Sequence, residues 1–177
     1  MKSLLLTRDA VATAPLWNTH HDQPEGRRSA MIALLNQQLA DLLDLGLQAK
    51  QAHWNVKGPH FAALHTLFDE VAAGVAASAD ELAERAVMLG GTARGTLQSV
   101  AVESRLEPYP PAAQDGADHT WALAAALARV AQSTRAAIES ATQVGDAGTA
   151  DALTQVSRSV DKLLWQVEAH VALEPRL

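Results

Sequence analysis

Five side chains that could bind a metal ion stand close together in the sequence: His53, His65, Asp69, Asp80 and Glu84. The last four form two pairs spaced i, i+4, so in a helix each pair projects from one side, one turn apart. Imidazole and carboxylate ligands without thiolate suit iron, manganese or zinc. The spacing therefore predicts two halves of a metal site on a single helix.

These two halves cannot meet within one straight helix. The positions from Asp69 to Asp80 span about 16 Å at the rise of an α-helix, whereas the metals of a dinuclear centre lie about 3.5–4 Å apart. An antiparallel copy of the helix from a second chain, crossing on a two-fold axis near residues 74–75, would bring the first half of one chain toward the second half of the other. We therefore expect sites that are shared between two subunits, two in each dimer.

Small side chains line the helix face that carries these residues. The face holds Ala62, Ala72, Ala73, Ala76, Ala77, Ala83 and Val87, whereas the predicted core row holds Phe61, Leu64, Phe68, Val71, Val75, Leu82, Ala86 and Leu89. Small side chains allow another helix to approach closely. Simpler interpretations stay open, because charged i, i+4 pairs are often solvated surface and a lone histidine is often a buried structural one. A helical shell without activity would require all five positions to be accidental.

Apolar residues recur with the period of an α-helix and strand-like alternation is hard to find, so an all-α fold is expected. Four long helices are predicted at about 29–57, 60–90, 118–144 and 149–173, with Thr149 as the N-cap of the last. The turn at Gly58 and Pro59 makes the first two antiparallel neighbours and places His53 on the last turn of the first. A crossover from 92 to 115, with a short helix near 95–101, leads to the second pair. This arrangement is a ferritin-like four-helix bundle.

Length and composition favour a single domain. The 177 residues, 48% of them hydrophobic, can bury one core. We expect a flexible N-terminal tail at 1–28, the bundle at 29–173 and a short C-terminal tail at 174–177. The chain has no cysteine, no run long enough to cross a membrane and no signal-peptide pattern. These features predict a cytoplasmic, water-soluble protein without a membrane partner.

The segment Lys50–Glu70, KQAHWNVKGPHFAALHTLFDE, is followed by DELAER at 80–85 and by LGG at 89–91. In this pattern the chain resembles the Dps family of miniferritins, the DNA-protection proteins of starved cells. The likeness covers nearly everything after residue 29. It implies a hollow dodecamer of four-helix bundles with ferroxidase centres at two-fold interfaces.

The resemblance also assigns the ligands. One half of each centre, His53, His65 and Asp69, comes from one subunit, and Asp80 and Glu84 come from its mate. Each centre is expected to hold two irons, for which zinc or manganese could substitute. The implied reaction is oxidation of Fe(II), with hydrogen peroxide as the preferred oxidant, followed by storage of ferric mineral in the shell.

Two tryptophans lie in segments that resemble the family. Trp54, next to His53, has two interpretations: a wedge in the helix packing, or a sacrificial reductant that catches stray oxidising equivalents near the irons. Trp165 is expected to belong to the core.

Iron must also enter the shell. Asp146 and Asp151, around the turn between the last two long helices, could line acidic pores at three-fold axes, where rings of carboxylates attract cations. An ordinary acidic turn is the alternative, because glycine and alanine at 145, 147 and 148 dilute the charge.

An architectural DNA-binding protein, associated with the nucleoid, is the alternative class of function. The tail at 1–28 holds four basic side chains, Lys2, Arg8, Arg27 and Arg28, against three acidic ones, Asp9, Asp22 and Glu25. This is a poor arm for neutralising phosphates, and the whole chain carries a net charge of −6. His20 and His21 could add positive charge in acid or bind metal. DNA binding is therefore expected to be weak.

Overall fold

The computed structural model describes residues 15–171, which form five helices and no strand. The helices are α1 (Glu25–Asn55), α2 (Phe61–Met88), α3 (Leu97–Glu103), α4 (Gly116–Gln143) and α5 (Ala147–Glu168). The most extensive contacts join α1 to α2 and α4 to α5; these pairs pack together through α1 against α4 and α2 against α5, while α3 lies on α1. The predicted all-α bundle, with a crossover containing a short helix, is confirmed. In this part of the chain no helix is long and apolar enough to cross a membrane.

Several helix ends differ from the predictions. The first helix begins at Glu25 and not at 29, because the carbonyl of Pro24 accepts hydrogen bonds from the backbone N–H groups of Arg27 and Arg28. Four residues of the predicted tail at 1–28 therefore belong to α1. The last helix ends at Glu168, before the predicted 173. Residues 1–14 and 172–177 lie outside the described residues, so the two tails stay predictions.

The N-cap of α5 is Asp146, and the prediction of Thr149 is wrong. The Oδ1 atom of Asp146 accepts a hydrogen bond from the backbone N–H of Thr149 at 3.0 Å. The Thr149 hydroxyl lies within the first turn of the helix and donates to Asp146 Oδ2 at 2.6 Å. An aspartate three residues before a free helical N–H is a strong cap, so the helix starts at the aspartate.

Leucine and valine side chains from all four long helices fill the core. Fully buried members include Leu35, Leu42, Leu45, Phe68, Val71, Leu82, Leu123, Leu127, Leu153 and Val160. The predicted core row of α2 is buried except at its first member, Phe61, which is 47% exposed. The prediction for Trp165 is wrong, since its side chain is 66% exposed on the outside of α5.

A polar stripe on α1 fastens the crossover to the bundle. It consists of Gln37, Asp41, Asp44 and Gln48. Asp41 is 1% exposed and accepts hydrogen bonds from the backbone N–H and the Nε of Arg105, at 2.9 and 3.0 Å. The side chain of Gln48 donates to the carbonyl of Glu107 at 3.1 Å. Irregular backbone laid over a helix needs partners for its polar groups, and this stripe supplies them.

The segment before α1 is attached to the far end of α2. The backbone N–H of Trp17 donates to the carbonyl of Gly90 at 2.8 Å, and Arg28 Nη1 donates to the carbonyl of Leu89 at 2.9 Å. Gly90 has φ of 85°, and a Cβ there would lie 2.8 Å from the carbonyl oxygen of Trp17. Only glycine suits both the turn and this close approach.

We predict that Arg105→Met destabilises the protein by about 3 kcal/mol, because it leaves the buried Asp41 carboxylate without its cation. This is near the lower end for a broken buried pair, since the Arg105 side chain is 34% exposed. The matched control is Arg135→Met, whose partner Asp161 and whose own side chain are 49% and 54% exposed; it should cost less than about 1 kcal/mol. Urea unfolding at fixed protein concentration measures both. Equal losses would contradict a special role for the Asp41 contact.

Candidate metal centre

Two of the predicted ligands are held face to face where α1 ends and α2 begins. The imidazoles of His53 and His65 stack with ring centroids 3.7 Å apart and planes inclined by 21°. Their Nδ1 atoms make reciprocal hydrogen bonds, His53 to the carbonyl of His65 at 2.7 Å and His65 to the carbonyl of His53 at 2.8 Å. The turn between the helices allows this contact, with Gly58 at φ of 101°. Phe61 stacks on the outer side of His65, with centroids 5.0 Å apart.

These hydrogen bonds determine which ring nitrogen is available. A carbonyl oxygen only accepts, so the Nδ1 atom of each imidazole must carry the proton. In the neutral ring the Nε2 atom then keeps its lone pair, which is the form that binds a metal ion. The carbonyl of His53 also belongs to the last turn of α1, where the helix supplies no N–H donor, so the bond from His65 satisfies it. The backbone carbonyls of the two helices thus hold the proton on Nδ1 and leave Nε2 of each histidine free to bind a metal ion.

Asp69, one turn after His65, forms an ion pair with Lys50. The Lys50 ammonium donates to Asp69 Oδ1 at 2.7 Å, and this hydrogen bond lowers the pKa of the exposed carboxyl group. Lys50 Nζ also lies 5.8 Å from the ring centroid of Trp54. Sequence reasoning missed Lys50. Its position three residues before His53 and four before Trp54, on the same side of α1, was the available signal.

Asp80 and Glu84 lie far from the histidines along α2. Both are exposed, as is Asp69. Among residues 15–171 of a single chain, no group of three or more histidine or acidic side chains is arranged to hold a metal ion. The structure therefore brings His53 and His65 together with Asp69 close by, and it does not bring the Asp80 and Glu84 pair to them. This agrees with the distance expected along one helix.

An apolar groove of about 590 Å³ runs beside the candidate ligands, between α1, α2 and α3. Its lining includes Leu43, Gly46, Leu47, Ala72, Ala73, Ala76 and Leu97, with Lys50 and Asp69 among the polar members. Leu47 and Leu97 are 53% and 68% exposed. Most of the predicted face of small residues is therefore open on the surface of the subunit, although Ala72 is buried. The groove includes one of the ligand candidates, Asp69. Leu47 lies on the exposed side of α1, whereas its neighbours Leu42 and Leu45 are buried.

Comparison with known proteins identifies the family. A family model described as a ferritin-like domain matches residues 32–177. The DNA protection during starvation protein of Agrobacterium fabrum is 44% identical over 153 residues, which are 86% of this chain and 94% of the relative. The chain belongs to the Dps family. This confirms the resemblance that its motifs indicated.

Solved Dps structures have the same fold. Mycobacterium smegmatis Dps is 30% identical with a TM-score of 0.80, over 90% of this chain and 92% of that one. DpsA14 from Streptomyces coelicolor is 33% identical with a TM-score of 0.83, over 90% of this chain and 94% of that one. The predicted ferritin-like fold is therefore confirmed.

Trp54 of this Dps-family chain is not a wedge in the helix packing. Its side chain is 66% exposed, with the Lys50 ammonium over its ring, so most of the indole has no contact within the subunit. The other interpretation, a reductant close to bound iron, stays a prediction. Its exposure on the side of α1 that carries Lys50 is compatible with that role.

The prediction that Asp146 lines a pore in the Dps shell does not agree with its position. Asp146 is fully buried and its Oδ1 accepts from Arg85 Nη2 at 3.0 Å. Burial raises the pKa of this carboxyl group, but hydrogen bonds from Thr149 and the charge of Arg85 outweigh burial and lower it. The carboxylate of Asp146 is therefore fully bonded within the subunit and is not available to line a pore. Asp151 is exposed and stays a pore candidate.

We predict that Lys50→Met raises the pKa of Asp69 toward its ordinary value, because the ammonium that favours the carboxylate is gone. In the unaltered protein the lowered pKa adds stability above the unfolded-state pKa of Asp69, and that contribution is lost as pH falls through the folded-state value. The variant should lack this part of the acid dependence. NMR titration of isotope-labelled aspartate measures the pKa, with Lys162→Met on α5 as control. An unchanged Asp69 titration would contradict the importance of the ion pair.

Proposed function

We propose that the protein is an iron-detoxifying miniferritin that oxidises Fe(II), with hydrogen peroxide, at di-iron centres shared between subunits, and stores the ferric product as mineral. The observation that carries this proposal is the half-buried histidine pair, whose Nδ1 hydrogen bonds leave both Nε2 atoms as metal donors close to Asp69. Membership of the Dps family supports it, as does the name of the Agrobacterium relative, a DNA protection during starvation protein. Removing Fe(II) and peroxide together is a direct way to protect DNA.

The centre is completed by a second subunit. An antiparallel α2 packed on the face of exposed alanines at 73, 76 and 77 would carry its Asp80 and Glu84 toward His53, His65 and Asp69. The apolar groove beside Asp69 then becomes part of the dimer interface, and Leu47 and Leu97 are covered. We propose that such dimers assemble into a hollow dodecamer in the cytoplasm, with Asp151 near the iron entry pores.

The residues have distinct parts in the reaction. The Nε2 atoms of His53 and His65, with Asp69, would bind one substrate Fe(II), and the carboxylates of Asp80 and Glu84 from the second subunit would hold the other and stabilise the ferric product. Fe(II) approaching Asp69 displaces the Lys50 ammonium, so one cation replaces another. Two Fe(II) ions supply the two electrons that reduce one peroxide to two waters, with two protons taken up. Zinc or manganese would compete for the same donors.

We predict that His65→Ala and Asp80→Ala each abolish fast Fe(II) oxidation by peroxide, because each removes a ligand from every centre. A shell assembled from both variants should regain activity. In a dimer of one His65→Ala subunit and one Asp80→Ala subunit, one centre carries both substitutions and the other centre carries neither. Stopped-flow iron oxidation and electron microscopy of the mineral core provide the measurements, after unfolding and co-assembly of equal amounts.

The matched control is Glu70→Ala, which removes an exposed carboxylate next to Asp69 and should leave iron oxidation fast. Verified mixed shells that stay inactive would exclude centres shared between subunits. A fully active His65→Ala protein would exclude the centre itself.

DNA coating is a weaker candidate, and the fold disfavours it. Arg27 and Arg28 belong to α1, and Arg28 donates to the carbonyls of Gln23 and Leu89. These two of the four tail cations are therefore not part of a free arm that could follow a DNA backbone. With a net charge of −6 per chain, close approach of the shell to DNA is repulsive.

We predict little or no retardation of duplex DNA in a gel at near-physiological salt without added magnesium, because few cations are available to displace counterions. Protection of that DNA from cleavage by iron and peroxide should persist. Protection should disappear in His53→Ala, Asp69→Ala shells, which retain the tail but lose the ligands. Tight, salt-sensitive binding with protection unaffected by the double substitution would make DNA coating the main function.

A further inference from the structure

A hydrogen-bonded tyrosine and histidine lie between the crossover and the start of α4. The hydroxyl of Tyr109 is 2.6 Å from Nδ1 of His119, and the two rings are nearly parallel, inclined by 20° with centroids 6.0 Å apart. His119 is 1% exposed, and Tyr109 is half-buried. The other ring nitrogen of His119, Nε2, is buried, and no acceptor among residues 15–171 meets it with normal hydrogen-bond geometry. The phenol thus has a buried nitrogen base as its partner.

The protonation of the pair follows from its surroundings. Burial lowers the pKa of His119, and burial together with the charge of Asp118 raises the pKa of Tyr109 to about 12. Near neutral pH both groups are therefore uncharged. A neutral phenol must then donate its proton to the lone pair on Nδ1, which leaves the imidazole proton on Nε2. The hydrogen bond is short and points from the phenol toward the base.

Polar and charged groups around the pair favour protonation of His119 when Tyr109 loses its proton. The carboxylates of Asp118 and Asp115 and the backbone carbonyl of Asn55 all act to raise the pKa of His119, against the larger effect of burial. Asn55 is the last residue of α1. It follows Trp54 directly and His53 by two positions, so the pair lies against the same end of α1 that carries the candidate metal centre.

We propose that Tyr109 and His119 form a proton-coupled electron donor that reduces one-electron oxidants released when iron meets peroxide. The oxidant is the hydroxyl radical, which forms with hydroxide and Fe(III) when a single Fe(II) at an incompletely filled centre reduces peroxide by one electron; its identity rests on the proposed function. Tyr109 gives one electron, which converts the hydroxyl radical to hydroxide. The phenolic proton moves along the existing hydrogen bond to Nδ1 of His119, leaving a neutral phenoxyl radical and an imidazolium.

The donor is restored by the substrate itself. One Fe(II) gives an electron to the phenoxyl radical, His119 returns the proton, and Fe(III) is formed. The sum of the two steps is hydroxyl radical plus Fe(II) giving hydroxide plus Fe(III), so no side chain is consumed. The pair would therefore act repeatedly, unlike a side chain that is damaged once.

The sequence allows a sharp test, because Tyr109 is the only tyrosine in the chain. The first experiment uses the iron-free protein and photogenerated ruthenium(III) tris-bipyridine as the oxidant, with a tyrosyl radical detected by EPR and transient absorption. We expect a radical in the unaltered protein and none in Tyr109→Phe. His119→Asn keeps a hydrogen-bond acceptor near the phenol but removes the base, and should slow radical formation about 10²-fold.

A solvent isotope effect on the unaltered protein tests the proposal even if the His119→Asn variant misfolds. Transfer of the unaltered protein from H₂O to D₂O should slow Tyr109 oxidation, because the proton moves with the electron. Trp121→Phe, which changes an exposed aromatic near His119 on α4, serves as control and should oxidise Tyr109 normally. No tyrosyl radical in the unaltered protein, or a rate indifferent both to His119→Asn and to D₂O, would overturn the proposal.

The second experiment adds excess peroxide to shells loaded with less than one Fe(II) per centre, so that little Fe(II) remains to reduce the phenoxyl radical. A tyrosyl signal is expected, and Tyr109→Phe should lack it and accumulate more oxidised side chains. If Fe(II) is oxidised without any tyrosyl signal, the proposed role is wrong. If Fe(II) is not oxidised at all, the proposed ferroxidase function fails instead, and the iron-free experiment still decides whether the pair is a proton-coupled donor.

Discussion

The tight turn at Gly58 and Pro59 is the constraint on which the candidate site depends. It brings the last turn of α1 against the first turns of α2, where the carbonyl of His53 has no N–H donor within its own helix. The hydrogen bond from His65 satisfies that carbonyl, and the reciprocal hydrogen bonds hold the proton of each imidazole on Nδ1. The same hydrogen bonds therefore stabilise the contact between the helices and leave Nε2 of each histidine available to a metal ion. A longer connection would leave both imidazoles free to rotate and either nitrogen free to carry the proton.

The carboxylates of this fold are of two kinds: some are buried and paired within the subunit, and others are exposed and available to a metal ion or a partner. Asp41 and Asp146 are buried, and each is paired with an arginine and with backbone N–H groups. Asp80 and Glu84 are exposed on a face of small side chains. A buried carboxylate is stable only when its charge is compensated locally, so only the exposed group can bind iron or attract it. Burial distinguishes a structural aspartate from a candidate ligand. The spacing of residues in a motif does not predict whether an aspartate is buried.

The sequence predicted the helices and the local geometry of the site, because both follow from short-range periodicity. Helical spacing placed His65 and Asp69 one turn apart, and the Gly58 turn placed His53 beside them. The failures are tertiary. Asp146 looked like a free turn residue, but Arg85 from α2 reaches it across the bundle. Trp165 looked like core, but α5 turns it outward. Lys50 contacts Asp69 on the neighbouring helix, and Tyr109 contacts His119 from the loop before α4. The periodicity of a single helix does not report either partner.

The Lys50 ion pair gives the candidate centre a defined resting state. With the Lys50 ammonium on Asp69, the carboxylate one turn after His65 is paired within the subunit. Packing of a second subunit would add the charges of Asp80 and Glu84, which shift the local balance toward binding cations. Affinity for Fe(II) would then arise mainly on assembly. Coupling metal binding to assembly in this way would confine iron oxidation to subunits that have already paired.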